Sequence, residues 1–183
     1  GGLAGDALTD ADFNVAVGYS ALSASVLGSR STAIGHEALK LENPASAANM
    51  NNTALGFNAG NQVTTGTVNT LIGSQAGDAL TEGNNNTAVG YVALSGDTLG
   101  DRSVAIGRGT LQAQNFTSST DTYNTAVGYG AGTSVTTGTQ NTLIGGTVGD
   151  ALTDADFNVA VGYNSLGTDT LGSRSVAIGY EAL

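Results

Sequence analysis

A glycine recurs along this chain at a fixed interval, and that interval restricts the possible folds more than any other feature. Gly18, Gly35, Gly56, Gly73, Gly90, Gly107, Gly128, Gly145, Gly162 and Gly179 are separated by steps of 17 or 21 residues. Each long step is followed by three short ones, so the pattern repeats every 72 residues: Asn14, Asn86 and Asn158 are equivalent, and so are Arg30, Arg102 and Arg174. A period in this range marks a repeat architecture, in which one unit buries its apolar side chains only by stacking on the next. Residues 1–183 therefore read as a single continuous repeat array.

The residues before each glycine supply the strand signal. A branched aliphatic stands immediately before it, as in Val89-Gly90, Ile106-Gly107, Val127-Gly128 and Ile144-Gly145, which form the structural frame of the repeat. Thr or Val stands three before, with Ala or Leu between, so the segment alternates and is rich in β-branched residues. One face carries Val/Ile and Thr/Val and is expected to face the core. The other carries Ala, Gly and Asn or Ser, small enough for another backbone layer to approach. An aromatic often follows the glycine (Tyr19, Phe57, Tyr91, Tyr129, Tyr163, Tyr180), opening a bend or second short strand. The remainder, such as Ser95-Gly96-Asp97, is turn chemistry. Helix is the competing reading for 36–42, but a turn or two does not persist alone, and the Gly, Thr and Asn density elsewhere opposes it.

Strands repeated once per coil stack in register, giving an all-β, parallel β-solenoid. Each coil adds ~4.8 Å along the axis, so about ten coils make a rod about 50 Å long. The long steps place four extra residues in segments 39–51 and 111–123, expected as loops bulging from one face. Few apolar side chains are available per coil, so a second layer of burial is expected, with the Ala/Gly face or the Tyr/Leu row packing against another copy.

Composition narrows the function classes. The formal charge is -10, with only Arg30, Lys40, Arg102, Arg108 and Arg174 as cations. Phosphate binding needs clustered Lys and Arg, so nucleic acid is not a partner. Cysteine is absent, which removes disulfides and thiolate metal sites. No apolar run approaches the ~18 residues of a membrane span. Gly1-Gly2 aligns with Gly145-Gly146 and the chain stops inside a repeat, so a section of a longer fibre is expected.

With the motif laid out, a resemblance appears. Arg102-Ser103-Val104-Ala105-Ile106-Gly107 and Arg174-Ser175-Val176-Ala177-Ile178-Gly179 resemble the "NSVAIG" repeat of YadA-type heads in trimeric autotransporter adhesins. Asn86-Thr87-Ala88-Val89-Gly90-Tyr91-Val92-Ala93-Leu94 is similar to the "NTAIGYNAL" repeats of phage tail fibres and bacterial surface proteins. The resemblance covers essentially the whole chain. It implies a left-handed β-roll, packing of three chains into a rod, and adhesion to surfaces from an extracellular, cell-surface or virion location. YadA-type heads use shorter repeats, so the 17- and 21-residue coils imply longer turns.

No catalytic set emerges. His36 is the only histidine, and its equivalents are Arg108 and Tyr180, which reads as surface filler. Segment 128–132 has a phosphate loop's glycines without its Lys or strand-to-helix context. Asp10, Asp12, Asp154 and Asp156 are weak Ca²⁺ candidates, since that ion takes several carboxylate oxygens; a solvated turn is the simpler reading. Arg30, Arg102 and Arg174 each start the same coil within reach of a neighbouring turn carboxylate such as Asp101; exposed pairs contribute little, so these arginines read as register markers. Asn51, Asn85 and Asn115 lie in Asn-x-Thr sequons. No cofactor is implied. The expected role is a non-enzymatic structural and adhesive rod, associating with itself as a homo-oligomer or as an end-to-end filament, and meeting a cell-surface or glycan receptor. An ice- or ligand-binding solenoid, or the non-catalytic part of a polysaccharide-binding tailspike, is the alternative.

Overall fold

The computed structural model describes residues 1–183 and is all-β, without helix. Ten three-residue strands form one parallel sheet: β1 (Val15–Val17), β3 (Thr32–Ile34), β5 (Thr53–Leu55), β6 (Thr70–Ile72), β7 (Thr87–Val89), β9 (Val104–Ile106), β11 (Thr125–Val127), β12 (Thr142–Ile144), β13 (Val159–Val161) and β14 (Val176–Ile178). Each pairs with the strand of the next coil in strict register, so that Ala33 meets Ala54 and Ile34 meets Leu55. The chain is therefore a parallel β-solenoid of about ten turns. Four short strands, β2 (Gly28–Ser29), β4 (Ala48–Asn49), β8 (Gly100–Asp101) and β10 (Thr120–Asp121), make two small parallel pairs, β2 with β4 and β8 with β10.

The glycines mark the sharp bend after each strand, which is a turn and not a second strand. Gly90 has φ +141, and a Cβ there would collide with the Gly107 carbonyl of the next coil. The bend thus needs both the glycine's backbone conformation and its missing side chain.

The core lies on the opposite face from the one expected. The central residue of each strand points inward: Ala33, Ala54, Leu71, Ala88, Ala105, Ala126, Leu143 and Ala160 are fully buried, while the flanking Val/Ile and Thr/Val point outward. The cause is volume. Two backbone layers close on each other inside a narrow coil, and the strand's small residue leaves room for a leucine from the opposite turn, such as Leu22, Leu39, Leu94 or Leu111. The leucines of the Tyr/Leu row are therefore internal and only its aromatics are outside. Where the strand carries leucine, the turn gives way. Leu71 occupies the space that a Cβ on Gly60 or Gly77 would need, and Leu143 does the same over Gly132 and Gly149. This exchange keeps the interior filled at constant volume.

An asparagine ladder runs beside this core. The Nδ2 of Asn69 donates to the Gly83 carbonyl at 2.8 Å, and its Oδ1 accepts the Asn86 N–H at 2.9 Å. Asn52, Asn86, Asn124, Asn141 and Asn158 repeat the pattern. Each one satisfies a turn carbonyl and a strand amide that burial would otherwise leave unpaired.

The 21-residue steps are not bulging loops. Their extra residues fold back into the stack, β4 on β2 and β10 on β8, with Met50 N–H donating to Ser29 O at 2.9 Å. Met50, Thr122 and Phe116 are buried there, so the wide turns have interiors of their own.

Candidate functional site

Two surfaces carry the chemistry that this fold exposes. The first is the outer face of the sheet. Val17, Ile34, Leu55, Ile106, Ile144 and Ile178 are exposed, and Ile72, Val89, Val127 and Val161 are half-buried, forming one unbroken aliphatic column along the rod. Beside it runs a column of Val15, Thr32, Thr53, Thr70, Thr87, Val104, Thr125, Thr142, Val159 and Val176. Parallel pairing in register aligns both columns along the rod.

The second is the aromatic row just past the bend. Tyr19, His36 and Phe57 stack with ring centroids 5.2 and 5.3 Å apart. Arg108 lies between Tyr91 and Tyr129, at 5.6 and 5.4 Å from their rings, and donates to the Tyr129 hydroxyl at 3.0 Å. Tyr163 stacks on Tyr180 at 5.6 Å. His36 is thus a ring in an exposed stack, with no acid or nucleophile directed at it.

The arginines meet a turn carboxylate at one position only. Arg102 pairs with Asp121, not with Asp101, and also lies over the Tyr123 ring. Arg30 lies over Phe13 and Arg174 over Phe157. Asp101 instead accepts from the Asn84 N–H and from Ser119 Oγ at 2.8 Å. One residue type in one column meets whatever its neighbouring coil presents, a ring or a carboxylate.

The acidic turns do not converge. No three acidic or histidine side chains come close enough to hold a metal ion. Asp156 Oδ1 accepts from the Thr139 N–H and hydroxyl at 2.7 and 3.0 Å, and Asp154 Oδ1 from Thr153 Oγ at 2.6 Å, while Asp10 and Asp12 are at the other end of the stack. Asn51, Asn85 and Asn115 are exposed, and no pocket indents the rod.

Sequence reasoning missed two buried polar clusters, one in each wide turn. In the first, Glu42 Oε2 accepts from Ser31 Oγ at 2.9 Å and Asn52 Nδ2 at 2.8 Å, while its Oε1 and the hydroxyl of Ser25 have no partner. In the second, Gln114 Nε2 donates to Asp97 Oδ2 at 2.6 Å and Ser103 Oγ at 2.8 Å, and its Oε1 accepts from Asn124 Nδ2 at 2.9 Å. Burial pushes the Glu42 carboxyl above the usual carboxylate range, against the pull of Asn52 and Ser31. Burial also pushes Asp97 up, opposed by Gln114 and by the Gly100, Phe116 and Leu99 backbone. The available signal was the 72-residue equivalence of Ser25 with Asp97 and of Glu42 with Gln114.

Comparison with protein-family models, with curated proteins and with solved structures returns no match to this chain.

Proposed function

We propose that the chain is a structural and adhesive rod, part of an extracellular fibre such as a surface adhesin or phage tail fibre, in which copies associate side by side through the outer sheet face. The supporting observation is the aliphatic column from Val17 to Ile178, beside a Thr/Val column, with nothing of this chain covering either. A contiguous apolar strip of this length on a soluble protein marks a contact surface. Joining copies buries it and adds the second layer that a narrow interior lacks. Three copies is the number implied by the resemblance to YadA-type heads. Such a rod acts by length and stiffness and meets its receptor, a cell surface or glycan, through many weak contacts.

The test is the oligomeric state. Light scattering on the purified chain is expected to give a trimer, and electron microscopy a stiff rod. Ile72→Asp with Ile106→Asp places two charges on the apolar strip, away from the core, and is expected to give monomers that keep their β circular dichroism. A wild-type monomer overturns the reading.

One observation favours a second reading. The threonine column of β3, β5, β6, β7, β11 and β12 lies on the outer face of the sheet, half-buried or exposed and in register, which is the kind of array an ice-binding solenoid uses. Both readings use the same face. Thermal hysteresis from a wild-type monomer would select ice binding, and its absence from a trimer would select the rod.

A further inference from the structure

The aromatic row is interrupted once in every 72 residues. The position after the motif glycine carries a planar side chain in most coils, but Ser74 stands there between Phe57 and Tyr91, and Gly146 between Tyr129 and Tyr163. Each interruption leaves two rings two coils apart, about 9.6 Å by the strand spacing. Intervals of the same length elsewhere in the row are filled. His36 stacks between Tyr19 and Phe57 at 5.2 and 5.3 Å, and the Arg108 guanidinium lies between Tyr91 and Tyr129 at 5.6 and 5.4 Å. A two-coil interval therefore takes one planar group with a ring on either side. The rings stand out from the rod wall, so the gaps open between side chains and not into a pocket. The edge of Tyr163 borders one of them, 3.3 Å from the point that a Cβ on Gly146 would occupy.

A second column changes with the first. Five residues after the motif glycine, the two open coils carry Asp78 and Asp150, and Gly2 is likewise followed by Asp6. No coil with a planar group in the row has an acid there: the position is Lys40 beside His36 and Gln112 beside Arg108. Asp78 Oδ2 accepts from Gln75 Nε2, the side chain next to Ser74, at 3.5 Å. Neither Asp78 nor Asp150 has a cation, since the two ion pairs of the chain are Glu37 with Lys40 and Asp121 with Arg102.

We infer that the gaps at Ser74 and Gly146 are binding sites for arginine side chains of a partner polypeptide. The faces of the bordering rings are negative and attract a cation, and a flat guanidinium enters a stack that an ammonium does not match. The aspartate on the same bend and the formal charge of -10 add to the attraction. The chain itself shows the pairing. Each of its four arginines rests on a ring, Arg30 on Phe13, Arg102 on Tyr123, Arg174 on Phe157 and Arg108 on two. The gaps are four coils apart, about 19 Å along the rod. Six residues of extended chain cover about 20 Å and bring a side chain back to the same face. The partner is thus an extended segment with arginines six residues apart, and filling both gaps at once raises its affinity. The outer sheet face takes no part, so this site is independent of side-by-side association.

The experiment is fluorescence anisotropy of a labelled Ser/Thr peptide with arginines at its first and seventh positions, titrated with the full chain. It is expected to bind about tenfold more tightly than the same peptide with a single arginine, with arginines at positions one and four, or with lysines at one and seven. Equal binding of the lysine peptide would reduce the attraction to net charge and overturn the proposal. Ser74→Tyr with Gly146→Tyr fills both gaps at constant charge, using a side chain that neighbouring coils carry at that position. This variant is expected to lose the tenfold advantage, and keeping it overturns the proposal. Should the variant lose its β circular dichroism, the aspartates provide the test. Asp78→Asn with Asp150→Asn is expected to weaken binding several-fold more than Asp10→Asn with Asp12→Asn, and equal losses overturn the proposal. A neutral oligosaccharide that binds where the arginine peptides do not would also overturn it and give the gaps to a sugar ring.

Discussion

The two wide turns are built on the same backbone and place their carboxylate on opposite members of a pair. The first has Ser25 with Glu42, and the second has Asp97 with Gln114. At the same position, seven after the motif glycine, Val63, Leu80, Val135 and Leu152 are apolar, and among the narrow coils those that precede the wide turns carry Ser25 and Asp97 there. The contrast follows from the strand that each turn meets. Where an asparagine opens the strand, its amide reaches the next coil and the ladder is continuous. Where Ser31 or Ser103 opens it, the side chain is too short, and residue 42 or 114 reaches across from the widened turn to bridge the serine and the following asparagine. The backbone therefore fixes that a polar group must stand there. Its identity is open, provided donors and acceptors balance.

That balance is broken most severely by Gln114→Glu. Nε2, now 2.6 Å from Asp97 Oδ2, becomes a second carboxylate oxygen in a site with no cation. Two buried carboxylates at that distance share one proton, so the pair's folded pKa rises. The stability is fully present below pH ~4 and lost as pH climbs through the raised value. Chemical denaturation at pH 7 is expected to show a loss of about 3–5 kcal/mol, with most of it recovered at pH 4. A loss independent of pH would mean that shape, and not charge, sets the tolerance of this turn.

A smaller effect separates the two carboxylates. Asp97→Asn sets an amide against the Gln114 amide or costs the Gly100 N–H its acceptor, so one buried donor is left unsatisfied whichever way the new side chain turns. The expected loss is about 1–3 kcal/mol by denaturant midpoint at pH 7. The equivalent-looking neutralisation Glu42→Gln is expected to change stability in the opposite direction at that pH. The same sign for both would remove the distinction between the turns.

The period made the stack legible, since any fold with equivalent residues at 17-residue steps aligns them, and the aligned columns of the ten strands are what results. Which face turned inward was not legible from alternation, because both faces are apolar or small. Packing volume decides it, and its trace lay in the correlated exchange of Leu71 with Gly60 and Gly77 and of Leu143 with Gly132 and Gly149. Glu42 and Gln114 were hidden because each sits in a turn of unrelated composition. A lone Glu or Gln in such a segment reads as solvated until its partner one coil away is known. The surroundings of Arg30 and Arg102 were likewise a matter of the adjacent coil, which offers Phe13 to one and Asp121 to the other.

The smallest expected change comes from moving one turn's chemistry into the other. Ser25→Asp alone places a carboxylate against Glu42 and repeats the like-charge conflict. Combined with Glu42→Gln, it rebuilds the pairing of Asp97 with Gln114. The room exists, because Gly28 leaves the same opening as Gly100, where the Asp97 carboxyl carbon stands 2.9 Å from the position of a missing Cβ. The double variant is expected to stay within about 1 kcal/mol of wild type at pH 4, while a double-mutant cycle at pH 7 gives a favourable coupling of about 2–3 kcal/mol. A coupling near zero would show that the two positions are satisfied independently. The shared frame of the two turns would then be a consequence of their common backbone, with no exchange of donor for acceptor between them.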